Sequence, residues 1–500
     1  MKFNTELLEY SDIQLIDGDR GKNYPKESDF MVDGYCLFLS AKNVTSKGFE
    51  FSEKSFIDYE KDKLLRAGKL KRGDIVVTTR GTIGNIAFYG NDIPFDNIRI
   101  NSGMMIFRAD EEKWNRRFLY FLLRSNYIRQ QIVSLTSGSA VPQLPARDLK
   151  KFILPRLPKD IQGSIEKIIG DFTDKIQLNR QINQTLESMA QAIFQSWFVD
   201  FDPVKAKIAA REQWQTLTDD ERTEWLNELL DKQAYLKTCL SELSANNEQS
   251  TSEILYLNIA AMTAISSRDE TSLADMPADE IAQLYKTASL FPERLVESEL
   301  GEIPEGWEFS EIGNEVAVLG GGTPSTKKEE FWGGDINWTS PKDMSSLTDK
   351  ILLETDRKIT EAGLAKISSG LLPVNAVLMS SRAPVGYLAI SKIPVAINQG
   401  YIAMKCEDRL SPEYIVQWIE SVMDDIKQRA SGTTFAEISK KNFKLIPVIV
   451  PEKELIYEFS QIVSNLYEKI TEALKETKAL TETRDALLPR LLSGEIELVR

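Results

Sequence analysis

Histidine is absent from all 500 residues. That removes Ser-His-Asp triads, His-ligated zinc hydrolases and imidazole general bases in one step. Any remaining chemistry rests on Asp, Glu, Lys, Tyr or Cys. Cysteine is scarce: Cys36, Cys239 and Cys406 are far apart and odd in number. Such usage fits a reducing cytoplasm, the expected location, and excludes a Cys-based zinc site. No run of eighteen apolar residues exists, so no membrane span is expected. The opening MKFNTELLEYSDIQL has no basic-then-apolar signal pattern. A Rossmann spacing and an Asn-Pro-Pro-aromatic methyltransferase motif are also missing, and no Asp…Glu-x-Lys nuclease set stands out. GDRGKN and GGGTPSTKK are rich in glycine and lysine, but neither is GxxxxGK[ST] opening a helix. No catalytic residue, metal ligand or cofactor bound by this chain is expected.

What is present bounds the architecture. Five hundred residues exceed one core and imply two or three domains. A hydrophobic content of 42% is enough to bury those cores. The net charge of −14 argues at first against nucleic acid, but its distribution changes that. Residues 211–305 hold 20 acidic and 7 basic side chains, which leaves 55 against 54 elsewhere. The flanking domains are near neutral, with basic clusters such as KDKLLRAGKLKR (61–72). The acidic stretch reads as a solvated decoration turned away from any phosphate backbone.

The chain is a repeat. SAKNV (40–44) matches SPKDM (340–344), and TRGTIG (79–84) matches SRAPVG (381–386). INSG (100–103) matches INQG (397–400), and TSGSA (136–140) matches ASGTT (430–434). The shared order with drifting offset marks duplicated domains whose loops differ in length. Each copy mixes strand-like runs (DIVVTTR, MMIFRAD; AVLMSSR, YIAMKC) with amphipathic helices at 114–135 and 412–430.

A long helical pattern follows each copy. The first opens after Pro158, with Ile161, Ile165, Ile168, Phe172, Ile176, Ile182, Leu186, Met189 and Ile193, at steps of three and four but for one gap of six. The second opens after Pro451, with Leu455, Phe459, Ile462, Leu466, Ile470, Leu480 and Leu487. Such seams predict two helices packed on each other as a coiled coil. Polar interruptions, Asn179 and Asn183, read as register pins. An ordinary amphipathic helix on its own domain is the competing reading.

QTLESMAQAIFQSWFVDFDPVKAK (184–207), LFPERLVESELGEIPEGWE (290–308), LGGGTPS (319–325) and INWTSPKDM (336–344) resemble the specificity subunit of type I restriction-modification enzymes. DGDRGKNYP (17–25) and LLPRLLSGEIEL (487–498) do too. The roughly hundred-residue connection after the first helix is longer than the family often has. The resemblance implies an α+β fold: two similar target-recognition domains joined by two long antiparallel coiled-coil helices, an internal pseudo-two-fold repeat. The corresponding division is 1–157 for the first recognition domain and 158–200 for the first spacer helix. It continues with 201–300 as an acidic helical linker, 301–450 as the second recognition domain, and 451–500 as the second spacer helix and tail.

The implied function is a non-catalytic, sequence-specific DNA-binding subunit that reads a bipartite asymmetric site. It directs adenine methylation and DNA cleavage by partners: two modification (methyltransferase) subunits and up to two restriction (translocase and nuclease) subunits. S-adenosylmethionine, ATP and Mg enter through those partners. The alternative is a protein-interaction scaffold carrying two ligand-binding domains on a coiled coil.

Base edges are told apart by donor and acceptor: Arg suits guanine, Asn and Gln suit adenine, carboxylates suit cytosine. The candidate DNA-binding residues are Lys42, Asn43, Arg80, Thr82, Asn101 and Ser137 in the first copy. In the second they are Lys342, Asp343, Arg382, Asn398, Gln399 and Thr433. Asn43 against Asp343 is a change of the kind that alters base preference. The tight turns with Arg80 and Arg382 read as two DNA-facing lips, or as loops shaped by internal salt bridges. Thr79 and Ser381 read as phosphate contacts or as turn formers. Phe194, Trp197 and Phe198, with Leu487, Leu488 and Leu491, read either as core at the helix ends or as a docking surface for the methyltransferase subunits.

Overall fold

The computed structural model describes residues 4–136, 143–232, 248–299, 301–382, 384–430, 436–496 and 498. The chain divides into two compact units, Met1–Arg180 with Leu474–Arg500, and Gln181–Ala473. Two long helices, Lys159–Phe194 and Lys453–Ser493, each contribute residues to both.

In the first unit the apolar runs DIVVTT and MMIFRAD form the strands Ile75–Thr78 and Met104–Ala109. They lie in an antiparallel sheet ordered Ile13–Asp17, Met104–Ala109, Ile75–Thr78, Ile86–Phe88. The strand period of two sends Ile75, Val77, Met105 and Phe107 to one face, and Val76, Met104 and Ile106 to the other. The first face packs on helices Arg116–Arg124 and Asn126–Thr136, and on Ile165, Ile169, Leu488 and Leu491 of the long helices. The second packs on a three-stranded sheet ordered Phe56–Ile57, Cys36–Leu39, Ile98–Ile100, whose last pair is parallel. Burial on both faces explains why these strands read as unbroken apolar runs. Thr5–Leu7 and Ile153–Pro155 pair as a closing ribbon.

The second unit repeats this topology. Its main sheet is ordered Ala317–Gly320, Tyr401–Lys405, Val377–Ser380, Leu388–Ser391, with Ile351–Leu352 added in parallel at the edge. Trp332–Thr339 lies between Arg357–Ile359 and a parallel Ala396–Ile397, and Glu308–Glu311 pairs with Pro447–Val450.

Within each unit the long helices pack antiparallel. In the first unit Asn179 Nδ2 donates to Glu476 Oε2 at 2.7 Å and to Thr477 Oγ1 at 3.4 Å, and Lys175 pairs with Glu476 at 3.3 Å. Asn179 is buried, so its amide is a cross-helix bond that only one register satisfies. In the second unit Phe194, at the end of one helix, meets Phe459, near the start of the other, with ring centroids 6.1 Å apart. The first helix then widens into a π-turn, Gln195–Val199, and Phe201 takes a left-handed φ of 55°. That reversal starts the helix Asp202–Thr216, with Pro203 in its first turn.

The acidic segment has its own core. Helices Asp202–Thr216, Asp219–Lys232, Glu248–Ser266, Glu270–Ala274 and Ala278–Ser289 belong to it. Leu255, Ile259, Met262, Leu273, Ile281 and Tyr285 pack together inside. Its acidic side chains form the solvated face of a helical insertion. Lys286 and Gln283 tie it to Glu458 of the second long helix, the former at 2.6 Å.

Candidate nucleic-acid interface

The two arginine hairpins are the same structure written twice. In the first, Thr78 Oγ1 donates to the carbonyl of Thr82, and Asn85 N–H donates back to Thr78 Oγ1 at 3.0 Å. In the second, Ser380 Oγ donates to Pro384 O at 2.7 Å, and Tyr387 N–H donates to Ser380 Oγ at 2.8 Å. Gly84 and Gly386, with φ of +85° and +107°, close the turns by donating to Thr78 O and Ser380 O, each at 3.0 Å. A hydroxyl at the last strand position is therefore part of the turn; valine there removes both bonds.

Each hairpin is stitched to a second turn. Thr79 N–H donates to Gly103 O, and Ser381 N–H to Gly400 O, both at 2.8 Å. Those partner turns are shaped by asparagine: Asn101 Oδ1 accepts from Gly103 N–H at 2.9 Å, and Asn398 Oδ1 from Gly400 N–H at 2.8 Å. The glycine loops lie directly on them. A Cβ at Gly18 would stand 2.2 Å from Asn101 O, and one at Gly321 1.9 Å from Ile397 O. In each module hairpin, asparagine turn and glycine loop thus form one connected rim.

A third element flanks each rim. Ser40 and Asn43 form a capping box, with Ser40 N–H donating to Asn43 Oδ1 at 2.9 Å. Ser340 and Asp343 form the same box at 2.7 Å. The remaining polar atoms of the acid and the amide explain why the two differ. Asn43 Nδ2 donates to Glu50 O at 3.0 Å and Glu53 O at 2.7 Å. Asp343 Oδ1 accepts from Asp356 N–H at 3.0 Å. An amide serves where carbonyls face the position, and a carboxylate where an N–H does. The expected base-reading role of this pair gives way to capping, because Asn43 is only 3% exposed and its side chain is committed.

The two lips differ in what they offer. Arg80 is exposed and has no ion pair among the described residues. Arg382 lies 3.5 Å from Glu437, and the backbones of the two pair as a bridge. Thr82 is exposed, its carbonyl held in the turn. Lys42 pairs with Glu53 at 2.7 Å and Lys342 approaches Asp356 at 4.0 Å, all four well exposed. Such pairs are worth little and exchange readily for phosphate. Gln399 accepts from Thr323 of the glycine loop. Thr79 and Ser381 are buried turn formers. Ser137 and Thr433 lie outside the described residues.

Three cations on these rims are not among the residues singled out from the sequence. Arg20, in the first glycine loop, bonds Ser102 O at 3.3 Å yet keeps half its side chain exposed. A Cβ at Gly320 would stand 2.8 Å from the Lys440 ammonium, beside the second. Arg357 stacks 3.4 Å over Trp332, whose indole N–H donates to Ser325 O at 3.2 Å. Arg20 stands inside DGDRGKNYP and was findable there; the other two are brought in by distant segments.

Phe194, Trp197 and Phe198 are 2–3% exposed. They pack with Phe291, Trp307, Tyr414 and Phe459 in the second unit. Leu488 and Leu491 are buried in the first unit's core, and Leu487 packs against it. The docking reading yields to packing, since a partner cannot rest on atoms already enclosed. Among the described residues no cluster of three His, Cys, Asp or Glu is placed to hold a metal. Burial pushes the Cys36 thiol up to about 12, far from a nucleophile's range.

The family model described as type I restriction modification DNA specificity domain matches residues 6–188 and 304–480. The HindI specificity subunit of Haemophilus influenzae is 30% identical over 494 residues, 96% of this chain and 98% of that protein. The MjaIX specificity subunit of Methanocaldococcus jannaschii is 32% identical over 186 residues, 37% of this chain and 43% of its own length. A solved type I restriction-modification S subunit from M. genitalium aligns over 100% of this chain and 97% of its own, with a TM-score of 0.49 and 13% identity.

Proposed function

This chain belongs to the family of type I restriction-modification DNA specificity subunits, and on that premise we propose how its two modules divide the reading of DNA. The chain is the DNA-recognition subunit of a type I restriction-modification complex and has no catalytic role of its own. Each module meets one half of a split, asymmetric site with its rim of hairpin, asparagine turn and glycine loop. The two long helices set the gap between the halves. Phosphate contacts come from the exposed cations Arg20, Lys42, Lys342 and Lys440, and base contacts centre on Arg80, Asn101 and Gln399.

Two modification subunits, which bring S-adenosylmethionine, and up to two restriction subunits, which bring ATP and Mg, assemble with it in the cytoplasm. The observation that carries this reading is the bond-for-bond repetition of one rim in two modules that differ in the side chains offered. Deleting the gene and mapping methylated adenines across the source genome tests it. A split motif that disappears supports the reading. An unchanged methylome favours the alternative, a protein scaffold with two ligand-binding domains.

A further inference from the structure

A polar knot lies beneath the second hairpin. Lys350 immediately precedes the edge strand Ile351–Leu352, and its carbonyl accepts from Ile390 N–H, in the hairpin's returning strand, at 2.9 Å. Its ammonium reaches Glu187 of the first long helix at 2.8 Å, and Glu420 of the helix Pro412–Ser421. Glu187 Oε1 also accepts from Gln417 Nε2 at 3.1 Å and from the Tyr467 hydroxyl at 3.2 Å. Gln417 Nε2 donates to Tyr467 Oη at 2.8 Å, and Gln191 Nε2 to Glu420 Oε2 at 2.9 Å. Tyr467 and Gln417 are buried. Burial, together with the carboxylates of Glu187 and Glu420, holds the Tyr467 phenol well above its ordinary range, so it stays a donor. Both long helices, the helix Pro412–Ser421 and the hairpin's edge are joined through one carboxylate.

Among the described residues the first module has no such knot. At the equivalent helix positions Thr481 stands for Glu187 and Thr173 for Tyr467. Among the described residues its sheet has four strands, without the added edge strand. A cavity of about 430 Å³, lined by Gly84, Arg124, Arg129, Thr173, Arg484 and Leu488 among others, lies beneath its hairpin. The corresponding space in the second module, beside Lys350, Gly386 and Glu420, is about 180 Å³. The first module's polar ties to the long helices lie elsewhere. Arg117 pairs with Glu166 at 3.2 Å and with Asp174, and Gln162 accepts from Asn115 N–H at 2.8 Å.

We propose that Lys350 and Glu187 are positioning residues that fix the second hairpin on the helix pair, so that the second half-site is accepted in one register only. A partly buried, multiply bonded carboxylate has one satisfied geometry, and leaving it unpaired is costly. An apolar contact or an open cavity sets no such geometry. The inference rests on the function proposed above and adds which residues enforce the spacing rule from the second side.

The test uses the complete complex with its modification subunits and duplexes whose gap is the natural length, one base pair shorter or one longer. Wild type should methylate the natural gap at least tenfold faster than either neighbour. Lys350→Met and Glu187→Gln should each reduce that ratio at least threefold without changing the bases required, and Lys350→Arg should restore it. Hydrogen exchange should quicken across residues 377–391 in both variants and stay unchanged across 75–88. If Lys350→Met does not assemble, Glu187→Gln, which keeps the shape of the side chain, gives the same reading. Ratios equal to wild type, or rates lowered equally on all gaps, overturn the proposal. A wild-type complex that methylates no split site overturns the proposed function instead.

Discussion

Exchanging the amide and the acid of the two capping boxes separates capping from base reading. In Asn43→Asp the carboxylate still accepts from Ser40, but its second oxygen faces the carbonyls of Glu50 and Glu53, which Asn43 Nδ2 serves at 3.0 and 2.7 Å. Two hydrogen bonds are lost at a position 3% exposed. At about 1 kcal/mol for each net bond, plus about 1–2 kcal/mol for oxygens left opposed in the interior, the cost is about 3–4 kcal/mol. The reverse change, Asp343→Asn, forfeits one of two acceptor oxygens at a half-buried position and costs about 1 kcal/mol. Urea unfolding, with hydrogen exchange assigning each loss to its module, measures both. The methylated motif should keep its sequence in either variant. An Asn43→Asp cost below 1 kcal/mol, or a changed base in the motif with the fold intact, would refute the capping account.

Arg80→Ala should weaken DNA binding by about 1–3 kcal/mol and relax the base required at one position of the site, whereas Arg382→Ala does less because Glu437 already holds that guanidinium. Fluorescence anisotropy on duplexes varied one base at a time decides, and equal effects count against the asymmetry. Phe198→Ala should destabilise the second unit by about 3–5 kcal/mol, while modification subunits still co-purify below its melting temperature. Loss of co-purification from a folded variant would restore the docking reading. Burial lowers the Lys207 ammonium to about 8, while Phe291 O accepts from it at 2.7 Å. The folded state therefore sheds this proton before the unfolded chain does, and stability contributed by Lys207 rises between pH 8 and about 10.4. Wild type should gain stability on Lys207→Met across that window; parallel pH profiles would contradict it.

Local pattern made part of this fold legible. The paired hairpins could be read because TRGTIG and SRAPVG recur with Gly84 and Gly386 in register; the hydroxyls that close the turns, Thr78 and Ser380, stand one residue before the matched runs. The long helices could be read because their seam repeats at three and four. Asn179 was recognisable as a pin, although its partners, Glu476 and Thr477, come from the antiparallel helix of the pair. What stayed hidden depends on segments far apart in sequence. Glu437 clamps Arg382 across 55 residues, and Lys350 meets Glu187 across 163. Asn43 looked like a reader of adenine because its type says nothing about its burial. The aromatic run at 194–201 looked equally suited to a surface or a core; only the approach of Phe291, Tyr414 and Phe459 decides for the core. The insertion's acidity concealed an apolar interior, since its charged residues outnumber the few side chains that fill it.

The most direct measurement is a methylome from cells whose only copy of this chain carries the first module's hairpin and asparagine turn (79–85 and 101–103) replaced by those of the second (381–387 and 398–400). One half of the methylated motif should change or disappear while the other half keeps its bases. A change in both halves, or in neither, would contradict the claim that each module reads its own half-site.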